Sequence, residues 1–352
     1  MYSCFRPGKF WYDTNENRIQ AHGGSIIYAD NKFWWYGENK QGVSGRALGS
    51  PCKDWHHGVK LYSSTDLYNW VDEGFAMPES QDKDNPFYSE RIMDRPHVIY
   101  NELTKKYVMW AKTVGSDFSK CKFSICVGDD LHSFKFVKEF EPKPFHAGDF
   151  DLFKIGNKAY VVYENPHTEM VLHELTDDYT GVTEVYSSHL KKETPPFVRE
   201  APAYFEYNGR RYIFTSGTTG YFPNQTILYD ITNLHGEWIE LGNPCIGDVN
   251  KNTFHSQISS VFKHPTVEGL YIALGDRWLT DCSYDLPDMD QVILGIFSGG
   301  AKGIKLDPVD FYNLSDENTQ EANYVWLPVL FNDKDMPYLK WKTVWTTENF
   351  NK

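Results

Sequence analysis

No apolar run in the 352-residue sequence approaches the roughly 18 residues that a membrane-crossing helix needs. Nor is there an excess of positive charge. Lys and Arg total 35 against 48 Asp and Glu, a balance of 35 − 48 = −13, which argues against nucleic acid or an anionic membrane surface as the partner. Cysteine is sparse. Cys4, Cys52, Cys121, Cys126, Cys245 and Cys282 form no CxxC pair and no zinc-like spacing, so free thiols are expected, with neither a metal site nor a cofactor. The residues after Met1 are polar and aromatic, with no apolar leader core. That reads as a cytoplasmic protein if Met1 is the native start, and as a secreted or periplasmic one if a leader has been trimmed.

Aromatic residues, by contrast, are plentiful at 16%, including 11 Trp and 23 Tyr. Many of them fall in a recurring pattern, a β-branched and aromatic strand that returns from a tight turn. It occurs as "KFWWYGEN" at Phe33, "KYVMWAK" at Tyr107, "KAYVVYEN" at Tyr160, "RRYIFTSG" at Tyr212 and "GLYIALGDRW" at Tyr271. The intervals are 74, 53, 52 and 59 residues, the first lengthened by the insertion "QGVSGRALGSPCKDWHHGV". Asn208-Gly209, ahead of the fourth strand, is a strong two-residue hairpin signal because both residues accept positive φ. "VKLYSSTDLYNWVDEG" and "QTILYDITNLHGEWIELG" read as outer strands of such units. Periods near 50 built from strands and turns, without helical periodicity, predict an all-β fold, a five-bladed β-propeller forming a single domain over residues 1–352.

A polar residue stands ahead of each hairpin as well. His22, Asp94, Asp149, Glu200 and Gln257 precede their landmark aromatics by 11, 13, 11, 12 and 14 residues. Equivalent positions on the innermost strands of a propeller surround one axis, so these side chains are expected to converge at one mouth of the channel. Two readings stand for each of them. Short polar side chains at strand starts often satisfy backbone amides in turns. Three acids and an amide at one mouth also suit a site, because crowded carboxyls raise one another's pKa and one of them can stay protonated at neutral pH.

At these residues the sequence resembles glycoside hydrolase family 43, in particular its exo-β-1,3-galactanase (galactan 1,3-β-galactosidase) subgroup. The likeness begins with "RPGKFWYDTNENRIQAHGGSIIYADNKFWWYGENK", continues through "DRPHVIYNELTKKYVMW" and "REAPAYFEYNGRRYIFTSGTTG", and ends with "YIALGDRW" and "NYVWLPVLF". It implies a five-bladed propeller, no cofactor, no appended carbohydrate-binding module, and inverting hydrolysis of an oligo- or polysaccharide. One group then protonates the leaving oxygen while another activates water on the opposite face. By this resemblance Glu200 of "REAPA" is the general acid. The wider family's first-blade Asp base is replaced here by "AHGG", and the likeness assigns water activation to Gln257. It places Asp94 against the sugar near C2, where it tunes the acid, although the subgroup carries Glu there.

The remaining substrate-binding candidates are Glu38, Phe118, Asp149, Thr219, Tyr221 and Trp278. Phe118 stands where the subgroup has Tyr, "AGDFDLF" loses an Arg, and His255 replaces a small residue beside Gln257. The implied activity is release of galactose from β-1,3-galactan such as the arabinogalactan backbone. The alternatives are the same fold acting on another sugar, as an arabinofuranosidase, xylosidase or galactofuranosidase, or a non-catalytic sugar-binding propeller.

Overall fold

The computed structural model describes residues 1–43, 54–115, 120–192, 198–280 and 319–350. Its strands form five sheets, antiparallel except for one short parallel edge pairing, arranged as the blades of a five-bladed propeller. Blade 1 holds β1 (His22–Ala29), β2 (Lys32–Glu38), β3 (Val59–Ser64) and β4 (Val71–Met77) in that spatial order. Blade 2 holds β5 (Ile92–Asn101), β6 (Lys106–Val114), β7 (Cys121–Gly128) and β8 (Lys135–Phe140). Blade 3 holds β9 (Phe150–Ile155), β10 (Lys158–Asn165), β11 (Glu169–Leu175) and β12 (Val182–His189). Blade 4 holds β13 (Arg199–Tyr207), β14 (Arg210–Gly217), β15 (Ile227–Asp230) and β16 (Ile239–Gly242). In blade 5, β17 (Cys245–Ile246) pairs in parallel with β21 (Pro337–Lys340). Inward from there lie β20 (Asn323–Phe331), β19 (Tyr271–Arg277) and β18 (Gln257–Lys263).

Each landmark aromatic lies on a second strand, and the reason for the unbroken apolar runs is visible there. Successive side chains of a strand point to opposite faces of its sheet. A blade is covered on both faces by its neighbours, so both faces must be apolar. On β2, Trp34 and Tyr36 pack toward blade 2, while Phe33 and Trp35 pack toward blade 5. On β14, Tyr212 and Phe214 face blade 5 and Ile213 faces blade 3. Every one of the five blade–blade interfaces carries its own buried cluster. Between blades 5 and 1 the cluster also takes in Phe5 and Trp345, which bridge the chain's first segment to its last and close the ring.

The predicted hairpin at Asn208-Gly209 is a two-residue turn, with φ of 49° and 75° between the paired residues Tyr207 and Arg210. Asp30-Asn31 makes the matching turn in blade 1, with φ of 53° and 59°. Both predicted outer-strand segments form strands, β3–β4 and β15–β16. Cys4, Cys121, Cys126 and Cys245 are free thiols, whereas Cys52 and Cys282 lie outside the described residues. Much of the predicted insertion, residues 44–53, lies outside them too. Among the described residues no helix is long and apolar enough to cross a membrane.

Candidate active site

The innermost strands β1, β5, β9, β13 and β18 each touch the next, and the last returns to the first. Their N-terminal ends meet at one mouth. How the side chains are aimed there follows from the backbone. Four of the five inner strands break register just after the predicted residue, between His22 and Ser25, Asp94 and His97, Glu200 and Ala203, and Ile258 and Ser260. In the first three, the following residue has positive φ: Gly23 at 61°, Arg95 at 55° and Ala201 at 49°. A bulge of this kind bends the strand and re-aims the side chains beside it. At Gly23 the space is closed as well, since a Cβ would stand 2.4 Å from Glu38 Oε1.

The pairing register adds a second tier. His22 lies opposite Glu38, Asp94 opposite Lys112, Glu200 opposite Ser216 and Gln257 opposite Asp276. In blade 3 the backbone N–H of Glu164 donates to the carbonyl of Asp149 at 2.9 Å. Each blade thus places two polar residues at the same end of the propeller, one on its first strand and one on its second.

Glu200 and Gln257 are direct partners. The Gln257 amide nitrogen donates to Glu200 Oε1 at 3.2 Å and to Ser216 Oγ at 2.9 Å. Its carbonyl oxygen accepts from Arg95 Nη2 at 2.8 Å and from Trp278 Nε1 at 3.2 Å. Arg and Trp nitrogens are donors only, so the orientation of the amide is fixed. Burial, reinforced by the charges of Asp149 and Glu164, raises the Glu200 carboxyl well above the usual carboxylate range. A carboxyl held protonated in this way is suited to give up a proton.

Below the acid lies a compact ion cluster. Arg95 pairs with Asp149 at 2.9 Å, and Lys112 bridges Asp149 and Asp94, each at 3.1 Å. Burial opposes ionisation of Asp149, yet the Arg95 and Lys112 cations hold it down to about 2. Burial pushes Glu164 up to about 7, with the Asp149 charge adding to it. Glu38 is also pushed up to about 7 by burial. It accepts from the Arg95 backbone N–H at 3.0 Å and pairs with the buried Lys40 at 2.8 Å.

Two further candidates line the rim. Trp278 and Tyr221 pack with ring centroids 5.1 Å apart and border a recess with Gln257, Ser216 and His255. Lys40 reaches the Tyr221 hydroxyl at 3.5 Å. Thr219 is not among these rim side chains. It is buried, and its hydroxyl donates to the Phe222 carbonyl at 2.7 Å and accepts from Asn224, which braces the loop carrying Tyr221. His22 is fully buried between Asp276 and Gln20 and stacks on Tyr324, so it supports the mouth without opening onto it. Phe118 lies outside the described residues.

Sequence reasoning missed Arg95, Lys112, Glu164 and Ser216. A signal for three of them was present. Counting four or five residues on from each landmark aromatic reaches Glu38, Lys112, Glu164, Ser216 and Asp276 in turn. The C-terminal ends of the inner strands frame a much wider cavity of about 1420 Å³ at the other mouth, lined by residues such as Ser25, Asp151, Tyr204 and Ser260. That cavity gathers no paired acid and amide, so the chemistry is assigned to the Glu200 mouth despite its smaller recess. Among the described residues no group of three or more His, Cys, Asp or Glu side chains could hold a metal ion.

The family model for glycosyl hydrolases family 43 matches residues 25–253, well over half of the chain. A solved family 43 β-1,3-galactosidase superposes with a TM-score of 0.81 at 27% identity, over 100% of this chain and 65% of its own. The present chain therefore spans just under two thirds of that protein. A second family 43 β-1,3-galactosidase, solved with galactodeoxynojirimycin, gives a TM-score of 0.78 at 27% identity, over 97% of this chain and 100% of its own. An exo-β-1,3-galactanase from Phanerochaete chrysosporium, solved as a Glu-to-Gln variant with β-1,3-galactotriose, shares the fold. Its TM-score is 0.77 at 21% identity, covering 98% of this chain and 68% of its own. No curated protein matches the sequence.

Proposed function

Since the chain belongs to glycosyl hydrolase family 43 and is a glycosidase, we propose that it is an exo-acting, inverting enzyme that releases galactose from β-1,3-linked galactan. The observation that carries this reading is the state of Glu200. Its carboxyl stands at the mouth, is raised well above the usual range, and is steered by the Gln257 amide at 3.2 Å. Such a group protonates the oxygen of a departing sugar as the bond to the anomeric carbon breaks. Arg95, which donates to Gln257, is held in an ion cluster with Asp149 and Lys112, so the acid's surroundings are charged and tightly paired. Tyr221 and Trp278 supply apolar ring surface at the rim for a pyranose face. The likeness to two family 43 β-1,3-galactosidases, one solved with galactodeoxynojirimycin, supports galactose as that ring.

The test is direct. The chain is incubated with β-1,3-galactobiose, with arabinogalactan, and with nitrophenyl arabinofuranoside, xyloside and galactofuranoside. Galactose is expected as the product, with the α anomer appearing first in NMR spectra because inversion of a β linkage yields α. Preferential release of another sugar overturns the substrate. Binding of galactan oligosaccharides without any release overturns the enzyme reading.

A further inference from the structure

We infer that Arg95 is a positioning residue for the acid: its guanidinium decides which end of the Gln257 amide meets Glu200, and so keeps the acid's proton on the oxygen that is open to a leaving group. This rests on the inverting-glycosidase reading above and leaves Glu200 and Gln257 in the roles that go with it. The amide has four partners, and two of them do not discriminate between its ends. The Ser216 hydroxyl and a protonated Glu200 carboxyl can each donate or accept. The other two are donors only, Trp278 Nε1 at 3.2 Å and Arg95 Nη2 at 2.8 Å, and both hold the amide oxygen. Of these the Arg95 bond is the shorter and carries a charge, which makes such a bond roughly twice as strong as a neutral one.

The guanidinium is itself fixed from several sides. The break between Asp94 and His97, with φ of 55° at Arg95, turns the residue out of the regular strand. Its backbone N–H is held by Glu38 Oε1 of blade 1 at 3.0 Å. From blade 2 the side chain reaches Asp149 of blade 3 through Nε at 2.9 Å. It reaches blade 5 through Nη2 on Gln257 and through Nη1 on the Ser259 carbonyl at 3.5 Å. Lys112 occupies the other oxygen of Asp149, which keeps that carboxylate from turning away. Three donors on three acceptors fix a planar fork in both position and rotation, which a Lys ammonium, a single point charge, does not reproduce. Arg95 is buried, so solvent does not compete for these donors.

The consequence falls on Glu200. With the amide held this way round, an N–H faces Glu200 Oε1 at 3.2 Å. That oxygen is engaged as an acceptor, so the carboxyl's proton resides on Oε2. Oε2 has no hydrogen-bond partner among the described residues and Glu200 is partly exposed, so the proton stands where a departing oxygen takes it up. An amide turned end for end would set its own oxygen against Oε1 and draw the proton into a hydrogen bond with Gln257. In the step itself the proton passes from Oε2 to the bridging oxygen as that oxygen's bond to the anomeric carbon breaks. Arg95 stays protonated throughout and supplies no atom.

The experiment measures kcat and KM for the wild type, Arg95→Gly, Arg95→Lys, Gln257→Ala and the double variant Arg95→Gly/Gln257→Ala. The substrates are β-1,3-galactobiose and a dinitrophenyl galactoside, replaced by the corresponding pair for whichever sugar the wild type releases fastest. Glycine accepts the φ of 55°, so Arg95→Gly removes the guanidinium without straining the backbone. Misplacement of a reacting group costs about 10²-fold, so kcat of Arg95→Gly on the disaccharide should fall by about that factor while KM stays within about threefold. The loss should be much smaller on the dinitrophenyl glycoside, whose leaving group needs little protonation. Arg95→Lys keeps the charge but should share the deficit. Because Arg95 acts through Gln257, the double variant should be no slower than Gln257→Ala alone. Equal losses on the two substrates, a loss confined to KM, multiplied losses in the double variant, or wild-type turnover in Arg95→Lys would each overturn the role of Arg95 and leave the glycosidase reading intact. Should Arg95→Gly not fold, Arg95→Lys on the two substrates decides the question alone. A wild-type chain inert on every sugar overturns both.

Discussion

Replacing Glu200 with Gln separates chemistry from stability, because the two should move in opposite directions. The amide has the same shape and can still accept from Gln257, so the mouth keeps its geometry. It cannot deliver a proton. General acid catalysis contributes about 10²–10⁴-fold, or roughly 3–5 kcal/mol at about 1.4 kcal/mol per decade, and hydrolysis of β-1,3-galactobiose should fall by that factor. Stability should rise. In the unfolded chain this carboxyl ionises in the ordinary range near 4.3, whereas burial and the charges of Asp149 and Glu164 hold it protonated in the fold. Between those two values the folded state binds one more proton than the unfolded state, so its stability falls as pH rises. Each unit of the shift costs up to about 1.4 kcal/mol above that window, less whatever solvent screening the partly open side chain allows. Thermal melts across pH 4–8 should therefore show a higher Tm for Glu200→Gln at pH 8 and no gain at pH 4. Galactose release, followed on the disaccharide and on a dinitrophenyl glycoside, should show a smaller loss with the acidic leaving group, which needs little protonation. Near-wild-type turnover of the disaccharide, or a Tm difference independent of pH, would refute the reasoning.

Asp94→Glu restores the residue that the resembling subgroup carries and keeps a carboxylate. Turnover of β-1,3-galactobiose should rise, and a collapse on the best substrate in a sugar panel would show a pocket fitted to a different ring. Gln257→Glu should cause a large loss of galactose release. It sets a second carboxyl 3.2 Å from Glu200, and neighbouring carboxyls resist joint ionisation, so the acid's proton is shared or displaced. Wild-type rates in that variant would count against the acid's dependence on its neighbour. Lys40→Met leaves Glu38 buried without its cation, at a cost of about 3–5 kcal/mol if the carboxylate stays ionised. Glu38 is already raised to about 7 with Lys40 beside it and moves higher without it, so the Tm deficit should be small at pH 5 and larger at pH 8, and equal deficits at both would contradict the pairing.

The propeller was legible because its signal is repetitive. Five aromatic returning strands and five polar residues at nearly constant offsets can be recognised from spacing alone, and both map onto the blades. The site was legible only along the first strand of each blade. Glu200 and Gln257 were expected at one mouth, and they meet there. Lys112 and Glu164 were overlooked because their place depends on which residue of β6 pairs with Asp94 and which of β10 meets Asp149. The offset of four or five residues from each landmark aromatic does reach them, but it marks a site only once the pairing register is known. Arg95 was hidden by a stronger effect. In a regular strand it would point away from the face that Asp94 occupies, but the bulge and its φ of 55° bring both toward the same mouth. Thr219 sits behind the rim because a hydroxyl in a tight loop finds backbone partners close by, and nothing in the local sequence distinguishes that use from a sugar contact.

The register breaks at the heads of the inner strands also bear on how this scaffold can acquire new chemistry. Regular ladder pairing resumes only at Ser25, His97, Ala203 and Ser260, after the residue that faces the mouth. A change of side chain at such a head therefore leaves the blade–blade packing farther along the strand untouched. The blades act as a standing frame in which four of the five strand heads are set by a local break in their own ladder. Reactivity can then drift by single substitutions, as an amide, an imidazole and three carboxylates at equivalent heads already illustrate. The constraint falls on the residue just behind the head, where positive φ at Gly23, Arg95 and Ala201 must be tolerated whatever the neighbouring chemistry becomes.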